Sequence, residues 1–313
     1  MVIAFLFPGQ GSQAVGMGRA LYETSARAKA IFEEANDALG ENLTRVIFEG
    51  PEADLALTAN TQPAVLTVSV AAAAACGEQG LRPALAAGHS LGEYSALVVA
   101  EALAFADAVR VVRRRGQYMQ AAVPVGAGAM AAMMGLDLAA VEALCTEAAR
   151  GEVVQVANIN SATQIVVAGH RSAVERAVAL AAGTGGRVKS IMLPVSAPFH
   201  CALMEAAAER LARDLADVAV AEPTFPVVRN VDGGVTRTAA EVKPFLLRQV
   251  ASPVRWTDCV TRLAREGATA FVEVGPGRVL SGLVKRVVEG ATTLSVEDPA
   301  SLEKVWTVLG RAR

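Results

Sequence analysis

A chain of 313 residues is long enough for one sizeable α/β core, or for a core with a smaller unit inserted in it. Hydrophobic residues make up 53% and aromatics only 4%, so alanine, valine and leucine must build the interior. The net charge of −2 supplies no general attraction to nucleic acid or to an anionic membrane, and four scattered cysteines with three histidines show no metal-ligand spacing.

Residues 2–7 form a continuous apolar run directly after Met1, read as a buried parallel strand with no secretory leader before it. Helical patterns follow at about 25–38 and 61–78. The stretch 61–76 is the most apolar, but it is shorter than the roughly 20 residues of a membrane span and has polar flanks, so a buried helix is expected. A short strand at 84–88 leads into Gly88-His89-Ser90-Leu91-Gly92 and a further helix, and 105–123 is a long amphipathic helix. From 128 the order becomes strand 129–134, helix 137–149, strands 153–157 and 165–168, helix 171–182 and strand 188–193. That is the β-α-β-β-α-β order of a ferredoxin-like unit. Helices near 202–217, 239–250 and 256–266, a strand at 270–274 and the turn Gly275-Pro276-Gly277 complete the pattern. The expected architecture is a large α/β-hydrolase-like domain with a parallel sheet, residues 1–124 and 195–313. A ferredoxin-like βαββαβ subdomain is inserted at 125–194, and the active site lies in the cleft between the two.

Gly88-x-Ser90-x-Gly92 between a strand and a helix is the pattern of a nucleophile elbow, which lifts a serine hydroxyl out of a sheet and aims the next backbone N–H at its target. A serine hydroxyl needs a base. His89 adjoins Ser90 and turns back on it with difficulty, and His170 reads as a surface residue, so His200 is the best base by elimination. A third triad member is not evident. Asp232 follows the histidine in the chain, and a backbone carbonyl is the alternative. Cys201 beside His200 raises a Cys–His dyad, but adjacent side chains diverge on any regular element. Gly9-Gln10-Gly11 allows a close backbone approach, and Gln10 with the Leu91 N–H would make an oxyanion hole. Gly9-x-Gly11-x-x-Ala14 also matches a dinucleotide-binding pattern. So does Gly126-x-Gly128-x-x-Ala131, which shows how weak the pattern is, and the first match lacks the required acidic strand end because Glu33 and Glu34 fall in a helix. Arg115 is open to two readings: a solvated helix face beside Arg113 and Arg114, which spacing alone favours, or a clamp for a carboxylate.

Taken in order, Phe7-Pro8-Gly9-Gln10-Gly11-Ser12-Gln13, Asn60-Thr61-Gln62-Pro63-Ala64, Gly88-His89-Ser90-Leu91-Gly92-Glu93-Tyr94 and Arg115-Gly116-Gln117-Tyr118-Met119-Gln120 resemble the malonyl-CoA:acyl-carrier-protein transacylases. More broadly they resemble the acyltransferase domains of fatty-acid and polyketide synthases. The likeness continues through Asn160-Ser161 with Gln164, Phe199-His200-Cys201-Ala202-Leu203-Met204, Pro253-Val254-Arg255-Trp256 and Glu273-Val274-Gly275-Pro276-Gly277, covering nearly the whole chain. The resemblance implies ping-pong transfer of malonyl from coenzyme A to the phosphopantetheine thiol of acyl carrier protein for fatty-acid synthesis, without a cofactor. Ser90 is then the nucleophile and His200 the base, with Gln10 and Leu91 at the oxyanion, Arg115 on the malonyl carboxylate and the Gln249 carbonyl orienting His200. Asn160 and Gln164 would be cleft residues. Phe199 before the histidine implies malonyl over methylmalonyl. An acidic carrier implies a basic rim, with Arg187 and Lys189, or Lys285 and Arg286, as candidates. A cytoplasmic monomer without nucleic-acid or membrane partners is expected. Competing expectations are a serine esterase or thioesterase on a related fold, a non-catalytic acyl-binding protein, and the transferase of a malonate decarboxylase system.

Overall fold

Residues Ile3–Phe7 (β1) are apolar throughout because both faces of the strand are covered: Phe5 and Phe7 enter one core, Ala4 and Leu6 the core on the opposite face. The computed structural model describes residues 1–185, 187–195 and 197–310. Gly186, Ser196 and residues 311–313, which fall in the two spans expected from the sequence, lie outside the described residues. On one side β1 pairs in parallel with Leu85–Gly88 (β2), and on the other with Ala270–Val274 (β9). Thr292–Val296 (β10) extends the sheet beyond β9. Val227–Val228 (β7) extends it beyond β2, and Val235–Thr236 (β8) closes that edge as an antiparallel hairpin. The order is β10-β9-β1-β2-β7-β8, so the loops leaving β1 and β2 emerge side by side at one end of the sheet. Ligands of parallel α/β sheets bind at that end.

The helix Thr58–Glu78 is buried without interruption from Thr61 to Ala73, as its unbroken apolar run requires. Its alanines let Ala26–Leu39 and Phe105–Ala121 pack closely against it. No described helix is long and apolar enough to cross a membrane. Among the described residues no group of His, Cys, Asp or Glu is placed to hold a metal ion.

Gly128–Met134 (β3), Val154–Ser161 (β4), Gln164–His170 (β5) and Lys189–Met192 (β6) form a separate antiparallel sheet in the order β4-β5-β3-β6. The helices Leu138–Ala149 and Arg171–Gly183 cover one face. Alternation along β3 divides its side chains. Ala129, Ala131 and Met133 join the unit's own core, while Met130 joins the core of the large sheet. Register shifts at Val156/Asn158 and Ile159/Ser161 interrupt the β4–β5 pairing, and they leave Ala157 and Asn158 buried in succession. At the first shift the unit is stitched to the large domain, with Val254 N–H donating to Ala157 O (2.8 Å) and Ile159 N–H to Val254 O (2.9 Å).

Strands β7, β8 and β10 and the helices Leu43–Glu49, Glu52–Ala56 and Pro299–Gly310 were not expected. Two-residue strands carry no period, and β10 is a half-exposed edge rich in Thr and Ser, without an apolar run to mark it.

Candidate active site

Strand β2 ends in the elbow, and its glycines exist because other backbone passes where a side chain would be. A Cβ on Gly88 would strike the backbone of Gly92, and one on Gly92 would strike the Phe7 carbonyl. A Cβ on Gly9 would lie 2.5 Å from His89 O. Close packing of the first loop on the elbow therefore accounts for the Gly9-x-Gly11 pattern. Ser90 sits at φ 52° and His200 at 61°, left-handed conformations that cost a non-glycine residue roughly 1–2 kcal/mol each. Side chains from the far half of the chain hold the elbow in place. Ser90 N–H donates to Asn230 Oδ1 (2.6 Å), Asn230 Nδ2 donates to Gly88 O (2.7 Å), and Gln249 Nε2 donates to Ser90 O (3.0 Å).

Ser90 Oγ lies 2.7 Å from His200 Nε2, and His200 Nδ1 lies 2.9 Å from the Gln249 carbonyl oxygen. A carbonyl only accepts, so Nδ1 carries the proton and Nε2 presents its lone pair to the serine hydroxyl. Burial and then the neighbouring Arg115 charge lower the His200 pKa to about 3, so the ring is neutral at physiological pH.

Arg115 is 2% exposed. Nη1 donates to Gln62 Oε1 (2.7 Å), and Nη2 donates to Ser90 Oγ (3.1 Å) and Gln249 Oε1 (2.9 Å). All three hydrogen-bond partners are neutral, and the Tyr94 ring centre lies 5.5 Å from the guanidinium carbon. No carboxylate pairs with it within 4 Å among the described residues, although the buried Glu93 charge acts on it from beyond Gln249. Burial accordingly lowers its pKa. The surface reading of Arg115 is thus corrected: Gly116 lets this helix approach the start of Thr58–Glu78, where a Cβ would sit 2.6 Å from Thr58 O, and the guanidinium turns inward.

A cavity of about 120 Å³ joins these groups, lined by Gln10, Gln62, His89, Leu91, Met119, Met130, Asn158, Leu193, Val195 and Phe199 together with Ser90, Arg115 and His200. Phe199 is buried at its wall. Leu91 precedes the helix Gly92–Val99, and neither its backbone N–H nor that of Gln10 donates to another group among the described residues. The Gln10 side chain lines the same cavity; its Nε2 gives one of its two N–H groups to Thr58 Oγ1 (3.3 Å).

Two further expectations, Asn160 and Gln164, are corrected, and the two weaker candidates, Asp232 and Cys201, fall away. Asn160 does not line the cavity; its Oδ1 lies 2.9 Å from His89 Nε2, and the bulged strand brings Asn158 to the cavity instead. Gln164 lies outside the cavity lining, and its Oε1 accepts from Arg286 Nη1, a bond between the antiparallel sheet and the helix Val279–Val287. Asp232 pairs with Arg229 (3.2 Å) and has no contact with His200, whose Nδ1 the carbonyl already occupies. Cys201 is buried, donates from Sγ to Pro198 O (3.1 Å), and burial pushes its thiol up to about 11, so it supplies no thiolate. His170 is half-buried, and its Nδ1 accepts from Val153 N–H (2.9 Å). Gln62, Glu93 and Asn230 have no role legible from the sequence alone. A lone glutamine inside the apolar run 61–76, and a carboxylate three residues after Ser90, were the available signals.

An acyl transferase domain model matches residues 4–310. A malonyl CoA-acyl carrier protein transacylase from Salmonella typhimurium is 48% identical over 305 residues, covering 97% of this chain and 98% of the relative. The crystal structure of an acyl carrier protein S-malonyltransferase from Vibrio cholerae superposes with a TM-score of 0.95 at 47% identity, covering 97% of this chain and 100% of the other. A malonyl-transacylase in complex with a type II PKS acyl-carrier protein gives the same TM-score at 43% identity, covering 98% of this chain and 100% of the other. With its elbow, its Ser90–His200 contact and a match running the length of both sheets, the chain belongs to the acyl transferase domain family.

Proposed function

We propose that this chain transfers a malonyl group from malonyl-CoA to the phosphopantetheine thiol of acyl carrier protein, supplying fatty-acid synthesis through a malonyl-Ser90 intermediate. Ser90 Oγ attacks the thioester carbonyl carbon as His200 Nε2 takes its proton. The negative oxygen of the tetrahedral adduct meets the main-chain N–H groups of Leu91 and Gln10, the free donors beside the elbow. Collapse breaks the C–S bond, and His200 returns its proton to the departing CoA sulfur. In the second half the carrier thiol loses its proton to His200, attacks the ester carbon and leaves Ser90 restored. His200 needs no carboxylate for this, since the Gln249 carbonyl holds its tautomer.

The observation that carries the reading is Arg115, a buried cation 3.1 Å from Ser90 Oγ whose partners are all neutral. A cation so placed, with only the more distant Glu93 charge acting on it through Gln249, has no paired anion and favours a substrate bearing a negative charge a few atoms from the reacting carbon. Phe199 at the wall disfavours an α-methyl substituent. We further assign residues 1–124 and 195–313 to the catalytic domain and 125–194 to the inserted subdomain, and place the protein in the cytoplasm as a monomer without a cofactor. Arg187 and Lys189, or Lys285 and Arg286, are the candidates for the carrier-facing rim. Peptide mass spectrometry after brief exposure to malonyl-CoA tests the reading: the Ser90 peptide gains a malonyl group, which holo-carrier protein then removes. An unmodified Ser90, or an adduct that only water discharges, would overturn it.

A further inference from the structure

We infer that Glu93 and Asn230, two residues outside the cavity lining, position the Ser90 elbow, the His200 base and the Arg115 clamp jointly through Gln249; the inference rests on the acyl-transfer reading above. Glu93 lies on the first turn of Gly92–Val99 and is 3% exposed. One of its oxygens, Oε2, accepts from Gln249 Nε2 (2.7 Å) and from the Asn230 backbone N–H (3.0 Å). Those two partners then carry the geometry outward. The Asn230 side chain spans the elbow, bonding the carbonyl before it and the N–H of Ser90 itself. Gln249 is fully buried and does three things: its amide N–H holds Ser90 O, its amide oxygen takes Arg115 Nη2, and its main-chain carbonyl fixes His200 Nδ1.

Nucleophile, base and cation thus each sit one residue from the same carboxylate. The amide of Gln249 has only two orientations, and Glu93 selects the one that points its oxygen at Arg115. The reversed amide would set an N–H against the guanidinium and its oxygen against both the carboxylate and Ser90 O. Glu93 itself costs free energy to bury, and that burial raises its pKa to about 7 against the donors that lower it. An element kept only for packing would carry an apolar side chain here at less cost.

The test is single-turnover malonylation of Ser90 in the full chain, read by intact mass against malonyl-CoA concentration. Glu93→Ala is expected to lower the limiting acylation rate roughly 100-fold, the scale of a ~1 Å misplacement, with little change in half-saturation. Glu93→Gln is expected to recover the rate to within about tenfold, because its carbonyl oxygen can accept both N–H groups. A Glu93→Ala protein that acylates at the wild-type limiting rate would overturn the inference, as would a Glu93→Gln protein no faster than Glu93→Ala. Should Glu93→Ala not fold, Asn230→Ser serves. It keeps the main-chain N–H to Glu93 but withdraws the side chain from Gly88 and Ser90, with the same loss expected and wild-type acylation refuting. Wild-type protein that never forms malonyl-Ser90 would bring down the acyl-transfer reading itself, and this inference with it.

Discussion

Replacing Arg115 with alanine should change which acyl group the protein accepts rather than abolish its chemistry. Arg115 donates to Ser90 Oγ at 3.1 Å, so a carboxylate on the acyl group can come within about 4 Å of the guanidinium carbon. At that separation, and an effective dielectric near 20, the attraction is about 4 kcal/mol, roughly a thousandfold in rate. Two charge-assisted hydrogen bonds at ~1.5–3 kcal/mol each give the same scale. The substitution also leaves Gln62 Oε1 and Gln249 Oε1 without their donor, a loss of about 1–3 kcal/mol each that is partly offset by removing a buried cation with no carboxylate paired to it. Any resulting disturbance of His200 through Gln249 bears on every substrate alike. The informative quantity is therefore the ratio of kcat/KM for malonyl-CoA to that for acetyl-CoA, which should fall by about 10³. The assay is transfer to carrier protein, followed by the mass of the carrier with each donor in turn. Parallel losses on both donors would refute the assignment of Arg115 to the carboxylate and return it to a structural role.

Three other outcomes follow from the same geometry. NMR titration of His200 should show no protonation near pH 6.5, and because its folded pKa lies below its unfolded one, the stability it contributes is present above pH 6.5 and lost as pH falls toward 3; a titration midpoint near 6.5 would contradict the burial argument. Phe199→Ala should narrow the preference for malonyl over methylmalonyl by about 10-fold or more in relative kcat/KM, the worth of one methyl group in a tight pocket, and an unchanged ratio would exonerate Phe199. Gln10→Ala should lower kcat less than tenfold if its main-chain N–H is the oxyanion donor, whereas loss of a side-chain donor would cost roughly 10²–10³.

Much of the fold could be read along the chain, because local causes leave local marks. The run 2–7 is apolar on successive residues, as a strand covered on both faces must be, and 61–76 is apolar all round, as a central helix must be. The glycines flanking Ser90 mark a turn too crowded for side chains. These patterns, with the ββ pairing order of the insertion, are properties of a few neighbouring residues, and they were enough to locate the strand-elbow-helix and the likeness to acyltransferases.

Local pattern thus names the chemical groups and the elements that carry them, whereas which groups meet is a property of the folded chain. Spacing left Arg115 on the protein surface, and only the approach of two helices at Gly116 turned it inward. Asn160 and Asn158 are indistinguishable in a string, and a register shift in β4 sends one to His89 and the other to the cavity. Asn230 and Gln249 lie 140 and 159 residues beyond Ser90, yet they hold its N–H and its carbonyl. No periodicity can encode such pairings. They arise when the sheet order sets β7 beside β2 and when buried polar groups, unable to reach water, must find one another.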